Sequence, residues 1–277
     1  MSFPMKDGVA VITGAGSGIG RALSLDLAER GSHLALADRN AEPLHETAQR
    51  ARQRGIKVTE HVLDVADAGA LGALPDAVVA EHGRATMLFN NAGVALGGTF
   101  EQTDLKDFEW LFDINFWGPV RLTKVFLPVL RQQPAAHIVN ISSLYGLIAP
   151  PGQTAYAAAK FAVRGFSESL RHELAGSNIS LSVVHPGGVA TSIARNARIP
   201  DAVAATIDPA RRARMEKLLS LPPEDAAAII LRGVETRAPR ILVGSDAKRI
   251  DILQRFMPGT YWKIVEKRLE REAAKKG

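Results

Sequence analysis

The strongest constraint on the fold of this chain is a glycine-rich turn that joins a short apolar run to a helical segment. The apolar run covers residues 9–12, and the turn follows it as Thr13-Gly14-Ala15-Gly16-Ser17-Gly18-Ile19-Gly20. Apolar side chains then recur at helical spacing as far as Gly31. Glycines let the backbone bend tightly, and the free N–H groups at a helix N-terminus attract anions. A strand, this turn and a helix, in that order, predict a cradle for a diphosphate.

The next apolar run ends in an acidic residue at the distance expected for recognition of a nucleotide. Residues 33–37 form the predicted second strand, and Asp38 follows 18 residues after Gly20. A carboxylate at this position accepts hydrogen bonds from a ribose 2′-OH and repels a 2′-phosphate. Asp38 therefore favours NAD over NADP. Arg39 follows directly and could pair with a 2′-phosphate, so NADP stays open.

A hydroxyl, a phenol and an ammonium group are combined in the segment from Ser142-Ser143 to Lys160. Tyr156 and Lys160 are four residues apart, which places them on one face of a helix. Lowering a phenol pKa from about 10 by about 3 requires about 4 kcal/mol. One positive charge about 5 Å away supplies about 3 kcal/mol at an effective dielectric constant of about 20. The pair therefore suits proton transfer if a second cation, such as an oxidised nicotinamide ring, lies beside it.

Short apolar runs alternate with helical segments along the whole chain, for example at residues 136–141 and 179–184. This alternation predicts a parallel sheet covered by helices on both faces. The chain has 277 residues, of which 46% are hydrophobic, and no linker divides it. We therefore expect one doubly wound α/β domain over residues 1–277.

Taken together, these residues resemble the short-chain dehydrogenase/reductase family over about residues 6–250. Six segments carry the resemblance, in family order: Thr13-Gly14-x-x-x-Gly18-x-Gly20, Asp64-Val65, Asn90-Asn91-Ala92-Gly93, Asn115, Ser143 with Tyr156 and Lys160, and Pro186-Gly187-x-Val189-x-Thr191. The family spacing of 13 residues selects Ser143 rather than Ser142. The resemblance implies a Rossmann-type NAD(P)-dependent oxidoreductase that acts on a small-molecule alcohol or ketone.

The resemblance also implies a role for each matched residue. Tyr156 would be the general acid/base, and Ser143 would hydrogen-bond the same substrate oxygen. Lys160 would lower the phenol pKa and hold the nicotinamide ribose, and Asn115 would link Lys160 to solvent through a water. The expected cofactor-binding set is Gly14, Ser17, Gly18, Ile19, Gly20, Asp38, Arg39, Asp64, Val65, Asn90, Ala92, Gly93, Tyr156, Lys160, Pro186, Gly187, Val189 and Thr191.

Two segments near the C-terminus are expected to lie outside the core. In the family, the substrate lid falls at about residues 192–221, and its apolar members, with Leu144, Leu147 and Ile148, suggest a lipophilic substrate. The tail, about residues 258–277, has Trp262, Val265 and Leu269 on one side of a helix. We expect it to pack on its own domain or on a sister subunit, with a peripheral membrane contact as the alternative.

Composition excludes several other classes of protein. The chain has no cysteine, and its seven histidines lack metal-ligand spacing, so we expect no metal site. His185 is the histidine of interest, because it precedes the expected nicotinamide loop. The net charge of +5 comes with no nucleic-acid recognition motif. With no signal segment and no spanning run, a cytoplasmic location is expected.

Family resemblance further implies a homodimer or homotetramer, formed through the helix that bears Tyr156 and the helix before it.

Two alternative functions stay open. One is an epimerase or dehydratase of the same fold, although such relatives usually carry a larger C-terminal domain. The other is a dinucleotide-sensing binding protein, which would be expected to have lost Tyr156 or Lys160.

Overall fold

The computed structural model describes residues 2–200 and 219–274, and seven parallel strands in them form a single sheet. The sheet order is β3-β2-β1-β4-β5-β6-β7. The strands are β1 (Val9–Thr13), β2 (His33–Asp38), β3 (Val58–Val62), β4 (Met87–Asn90), β5 (Ala136–Ile141), β6 (Ile179–Pro186) and β7 (Arg240–Val243). The order reverses between β1 and β4, and ligands of open α/β sheets bind in the crevice at such a switch point.

Helices connect the strands and cover both faces of the sheet. They are α1 (Gly18–Glu29), α2 (Ala41–Arg52), α3 (Ala68–His82), α4 (Leu105–Phe112), α5 (Gly118–Arg131), α6 (Thr154–Glu173), α7 (Pro223–Glu235), α8 (Ser245–Phe256) and α9 (Tyr261–Ala274). A π-helical turn, Asp113–Trp117, joins α4 directly to α5. Such turns are rare and occur often at functional sites.

Successive strand residues point into two separate apolar layers. On one face, Ile12, Leu36 and Phe89 belong to a buried cluster that includes residues of α1 and α7. On the other face, Val11 and Leu88 belong to a cluster that includes residues of α3 and α5. Because the strands are buried on both faces, their sequences are continuous apolar runs rather than alternating apolar and polar residues. The predicted doubly wound parallel sheet is confirmed.

The two C-terminal segments are only partly included in the described residues. The predicted lid lies at about 192–221, and its residues 201–218 fall outside them, as do residues 275–277 of the tail. The two ends of the lid segment meet at a parallel bridge between Val189 and Leu221. Among residues 2–200 and 219–274, no helix has both the length and the apolar character needed to cross a bilayer.

Candidate active site

The glycine-rich turn leaves the start of α1 open for an anion. Gly14 and Gly18 have φ angles of 66° and 52°, in the left-handed region that favours glycine. A Cβ on Gly20 would collide with the carbonyl oxygen of Gly14. Ser17 is the N-cap residue of α1, and its side chain makes no capping hydrogen bond. The first N–H groups of α1 and the Ser17 hydroxyl are therefore available to a phosphate.

Two polar side chains brace this turn from the side of β4. The Asn91 side-chain amide donates to the carbonyl oxygens of Thr13 and Gly14, at 2.9 Å and 3.3 Å. The Thr13 hydroxyl accepts the backbone N–H groups of Asn91 and Ala92, each at 3.1 Å. Neither residue was in the predicted site, although both stand inside the motifs that carried it. The turn and the end of β4 therefore form one hydrogen-bonded unit.

Asp38 lies at the mouth of the turn, as the sequence predicted. One carboxylate oxygen accepts the Gly16 N–H at 2.9 Å, and the other accepts the Asn40 N–H at 2.9 Å. These two bonds fix the carboxylate and leave each oxygen a further lone pair for a ribose hydroxyl. Arg39 is exposed and has no side-chain partner among the described residues.

The residues expected around the adenosine and the start of α1 differ in how exposed their side chains are. Asp64 is exposed, and its carboxylate accepts the Ala66 N–H at 2.9 Å. Val65 is buried and packs beside Gly118 at the start of α5, and Ile19 is half-buried against the apolar layer of α1. Burial therefore leaves mainly the backbone of Val65 for the cofactor, whereas part of the Ile19 side chain is also exposed.

The Asn90 side chain is buried below the cleft. Its side chain points into the core, where Nδ2 donates to Asn140 Oδ1 at 2.7 Å and to Thr123 Oγ1 at 3.1 Å. Asn140 in turn donates to Ser167 of α6 at 2.9 Å. Asn90 Oδ1 is buried without a hydrogen-bond partner. The side chain therefore ties β4 to β5 below the site, and the predicted contact of Asn90 with the cofactor would have to come from its backbone.

Ala92 and Gly93 connect the glycine-rich turn to the catalytic residues. A Cβ on Gly14 would lie 2.9 Å from the Ala92 Cα, whereas a Cβ on Gly93 would lie 3.2 Å from Asn115 Oδ1 and 3.6 Å from Lys160 Nζ. Ala92 therefore lies against the glycine-rich turn, and Gly93, the next residue, lies beside the ammonium group of Lys160.

Lys160 is almost completely enclosed. It is 3% exposed, and its ammonium group donates to the Ile141 carbonyl oxygen at 3.1 Å. Burial lowers the Lys160 pKa to about 8, because desolvation disfavours the charged form. Asn115 lies in the π-helical turn and is also fully buried. Its amide group makes two hydrogen bonds with the Val94 backbone, at 2.8 Å and 2.9 Å.

Tyr156 lies within reach of both expected partners. Its hydroxyl makes a hydrogen bond with Ser143, and Lys160 Nζ lies 5.6 Å from the centre of its ring. Tyr145 packs edge-on against the ring at 6.0 Å. Burial nevertheless raises the Tyr156 pKa to about 12, against the lowering effect of the Ser143 bond. The depression of the phenol pKa that was expected from Lys160 is therefore not seen in the chain alone, where burial dominates.

His185 holds the backbone of the candidate catalytic serine. The last ladder bond between β5 and β6 runs from Ser142 N to Val184 O at 2.9 Å, and Pro186 has no N–H to continue it. His185 Nδ1 instead lies 3.0 Å from the Ser143 carbonyl oxygen, which also accepts the Gly146 N–H. Burial lowers the His185 pKa to about 4, so the ring is neutral at pH 7 and Nδ1 donates.

A loop after β6 closes the opposite side of the cleft. The Thr191 methyl group would meet a Cβ on Gly18 at 3.0 Å, so the loop faces the glycine-rich turn. Asp246, at the start of α8, accepts the Gly188 N–H at 2.7 Å and leaves no room for a Cβ on Gly187. Asp246 is 58 residues from Gly188, and no sequence motif identified it.

The described part of the lid is fixed to α4. The Arg198 guanidinium stacks 3.8 Å from the centre of the Trp110 ring and donates to Asp107 at 2.6 Å. Its backbone pairs with Ala95 and Gly97. Arg198 is therefore engaged by α4, and Arg211, Arg212 and Arg214 of the predicted lid lie outside the described residues. Within those residues, no group of three or more acidic or histidine side chains is placed to hold a metal ion.

The comparisons with known proteins agree with this geometry. A family model described as short chain dehydrogenase matches residues 8–201. SadH of Mycobacterium tuberculosis is 47% identical over 261 residues, which cover 93% of each chain.

Two solved structures are similar over much of their length. A short chain dehydrogenase/reductase from Burkholderia phymatum in complex with NAD has a TM-score of 0.83 and 33% identity, over 92% of this chain and 95% of that one. NAD+-bound xylitol dehydrogenase has a TM-score of 0.65 and 32% identity, over 68% of this chain and 72% of that one. The chain therefore belongs to the short-chain dehydrogenase/reductase family of oxidoreductases.

Proposed function

We propose that this protein is an NAD-dependent oxidoreductase that interconverts a secondary alcohol and a ketone, with Tyr156 as the general acid/base. The observation that carries the proposal is the junction at Ala92 and Gly93, where the glycine-rich turn and Lys160 meet. This junction brings a dinucleotide site and a phenol–ammonium pair to one edge of the sheet. Bound NAD would supply the hydride acceptor.

The residues of the cleft fit such a dinucleotide. The glycines leave no space for side chains where a diphosphate backbone would approach, and the uncapped start of α1 offers N–H groups. Asp38 is fixed by two backbone N–H groups, so a 2′-phosphate would meet an immobile negative charge. We therefore propose NAD rather than NADP as the preferred cofactor.

Within the site, each side chain has a distinct task. Tyr156 exchanges a proton with the substrate oxygen, and Ser143 donates a hydrogen bond that stabilises negative charge on the same oxygen. Because burial raises the Tyr156 pKa to about 12, proton release at neutral pH requires positive charge beside the ring. Lys160 supplies one such charge, and an oxidised nicotinamide supplies another when it is bound.

The direct test is turnover by a Tyr156→Phe variant. We expect at least about a 100-fold loss of kcat, the range typical of a general acid/base, with NADH binding retained. Reduced nicotinamide is followed by absorbance over a panel of alcohols and ketones, and binding by NADH fluorescence. Tyr145→Phe is the matched control, because that ring packs on Tyr156 and we assign it no proton-transfer role. NADH binding without turnover on the whole panel would contradict the proposal and favour a sensor.

Cofactor preference is tested at Asp38. We expect Asp38→Ala to raise kcat/KM with NADP and to lower it with NAD, because the repulsion and the ribose contacts are both removed. Asp64→Ala, on the adenine side, should weaken both cofactors equally. A wild-type protein that already prefers NADP would contradict the role of Asp38.

The substrate region is assigned to the segment after β5 and to residues 192–221. Leu144, Tyr145 and Pro150 are partly exposed beside Ser143, whereas Leu147 and Ile148 are buried in the core. The Val189–Leu221 bridge joins the two ends of the lid segment. This arrangement is consistent with our proposal of a cleft that closes over a lipophilic substrate. The panel should therefore show falling KM values as the apolar part of the substrate grows.

We further propose that two copies pair through α5 and α6. Phe116 contacts both Trp117 and Phe166, with ring centres 5.1 Å and 6.5 Å apart. Trp117 is 47% exposed and Phe161 is 38% exposed, which supports an aromatic face covered by a sister subunit. Sedimentation should show a dimer or tetramer that Trp117→Ser weakens, and a monomeric wild type would refute the assembly.

A further inference from the structure

Helix α8 presents an exposed face that combines large apolar side chains with cations. Its residues Lys248, Arg249, Ile252, Arg255 and Phe256 recur at helical spacing, and all five are exposed. Ile252 is 57% exposed and Phe256 is 81% exposed. Single exposed apolar residues are ordinary on protein surfaces, but a contiguous cluster marks a contact site.

The cations of this face are available to a partner. Lys248 and Arg249 have no side-chain partner among residues 2–200 and 219–274. Arg255 lies 3.3 Å from Asp251, but Asp251 is itself buried and already bonded to Arg240. Of the two acids of α8, Asp251 is therefore engaged within the helix, and Asp246, which is exposed at the start of the helix, is bonded to the Gly188 N–H.

The apolar part of the face continues past the end of the helix. Met257 is 42% exposed and follows Phe256 directly. The backbone then turns through two hydrogen bonds to the Met257 carbonyl oxygen and enters α9. The Tyr261 hydroxyl, in the first turn of α9, accepts the Ala149 N–H at 3.0 Å. This bond holds the turn against the body of the protein, so the protruding side chains have a fixed support.

We propose that the exposed face of α8, with Met257, binds the surface of an anionic membrane. Cations next to apolar side chains match the two layers of such a surface, since the headgroups carry negative charge and the acyl boundary lies just below. The net charge of +5 adds a favourable long-range attraction. This interaction is separate from the proposed oxidoreductase activity and does not depend on it.

The positive charge of the exposed α8 face makes a second copy of the chain an unfavourable partner for that face. In a two-fold pair through this face, the cations Lys248, Arg249 and Arg255 of one copy would lie close to the same group of cations on the other copy. Like charges brought together in this way oppose association. An anionic lipid surface meets the same cations with opposite charge.

The test is cosedimentation of the purified full chain with lipid vesicles. We expect binding to vesicles of phosphatidylcholine mixed with phosphatidylglycerol, weak binding to phosphatidylcholine alone, and release as salt is raised. Each cation near an anionic surface contributes about 1 kcal/mol, and about 1.4 kcal/mol is a tenfold change. The Lys248→Glu, Arg249→Glu double variant should therefore lower the partition coefficient at least about 25-fold.

The apolar contribution is tested by Phe256→Ser, which should lower the partition coefficient about tenfold. The matched control is Arg131→Glu with Leu105→Ser, an exposed cation and an exposed apolar residue on other helices, which should leave vesicle binding unchanged. NADH binding and the thermal midpoint of each variant report that it is folded. The salt dependence of the wild type provides a readout that needs no variant.

Three outcomes would overturn the proposal. The wild type does not bind the mixed vesicles, or the α8 variants bind them as tightly as the wild type. The third is a wild-type assembly that dissociates in Phe256→Ser without any lipid binding, which would assign the face to a second copy.

Discussion

Replacing Lys160 with methionine should change the pH dependence of stability in a calculable way. Lys160 is 3% exposed, and burial lowers its pKa from 10.5 to about 8. Below pH 8 the folded protein therefore holds a charge that would be better solvated in the unfolded chain. As pH rises from about 8 to 10.5, the folded state loses this proton first, and wild-type stability rises.

The magnitude follows from the two pKa values. A difference of about 2.5 between the folded and unfolded values corresponds to about 3 kcal/mol of destabilisation at pH 7. Most of this is relieved by pH 10, where the remaining cost is about 1 kcal/mol. Methionine has a similar length and no charge. The free energy of unfolding of the wild-type lysine protein, relative to that of Lys160→Met, should therefore rise by about 2 kcal/mol between pH 7 and pH 10.

The assay is urea unfolding at several pH values between 7 and 10. Both proteins should carry Tyr156→Phe, so that the neighbouring phenol does not titrate. Every other ionisable group is common to the two proteins and cancels in the difference. Lys124→Met, at an exposed lysine, is the matched control and should give a difference that does not depend on pH. If the free energies of unfolding of the lysine protein and of the Lys160→Met variant change with pH in parallel, the Lys160 ammonium group is not desolvated. The electrostatic role assigned to Lys160 in the site would then be refuted as well.

Three further substitutions test other parts of the structure. His185→Leu should lower kcat about fivefold by removing one hydrogen bond to the carbonyl of the candidate catalytic serine, and His185→Asn, which keeps a donor, should restore it in steady-state assays. Arg198→Ala should raise the substrate KM severalfold with little change in kcat, because the lid loses its anchor on α4; Arg195→Ala, at an exposed arginine without a side-chain partner among the described residues, serves as its control, and equal effects would refute the anchor. Gly20→Ala should destabilise the protein by about 1–3 kcal/mol in urea unfolding, because the added methyl group collides with backbone. Gly72→Ala, in open space within α3, should be neutral or stabilising, and similar losses at both glycines would contradict the steric argument.

The fold was predictable because its determinants are local. A strand, glycine turn and helix follow one another within residues 9–29, and buried parallel strands must be continuous apolar runs. Asp38 was predictable for the same reason, since the end of β2 must lie beside the turn that follows β1. These positions depend on order along the chain, which the sequence displays directly.

The remaining site features depend on orientation and on distant contacts. The direction of the Asn90 side chain could not be predicted, because one step along a strand decides between the crevice and the core. Asp246 was missed, because its partner Gly188 lies 58 residues away. The Tyr156 pKa could not be obtained from spacing alone, because the spacing of Tyr156 and Lys160 does not show how deeply the phenol is buried.

The bridge between Val189 and Leu221 has an evolutionary consequence. Because both ends of the intervening stretch are fastened at one point, that stretch can lengthen, shorten or change composition without altering the sheet. Doubling the length of such a loop costs only about 0.6 kcal/mol in closure entropy. New substrate preferences could therefore be acquired by exchanging this stretch alone, while the reaction chemistry is inherited unchanged.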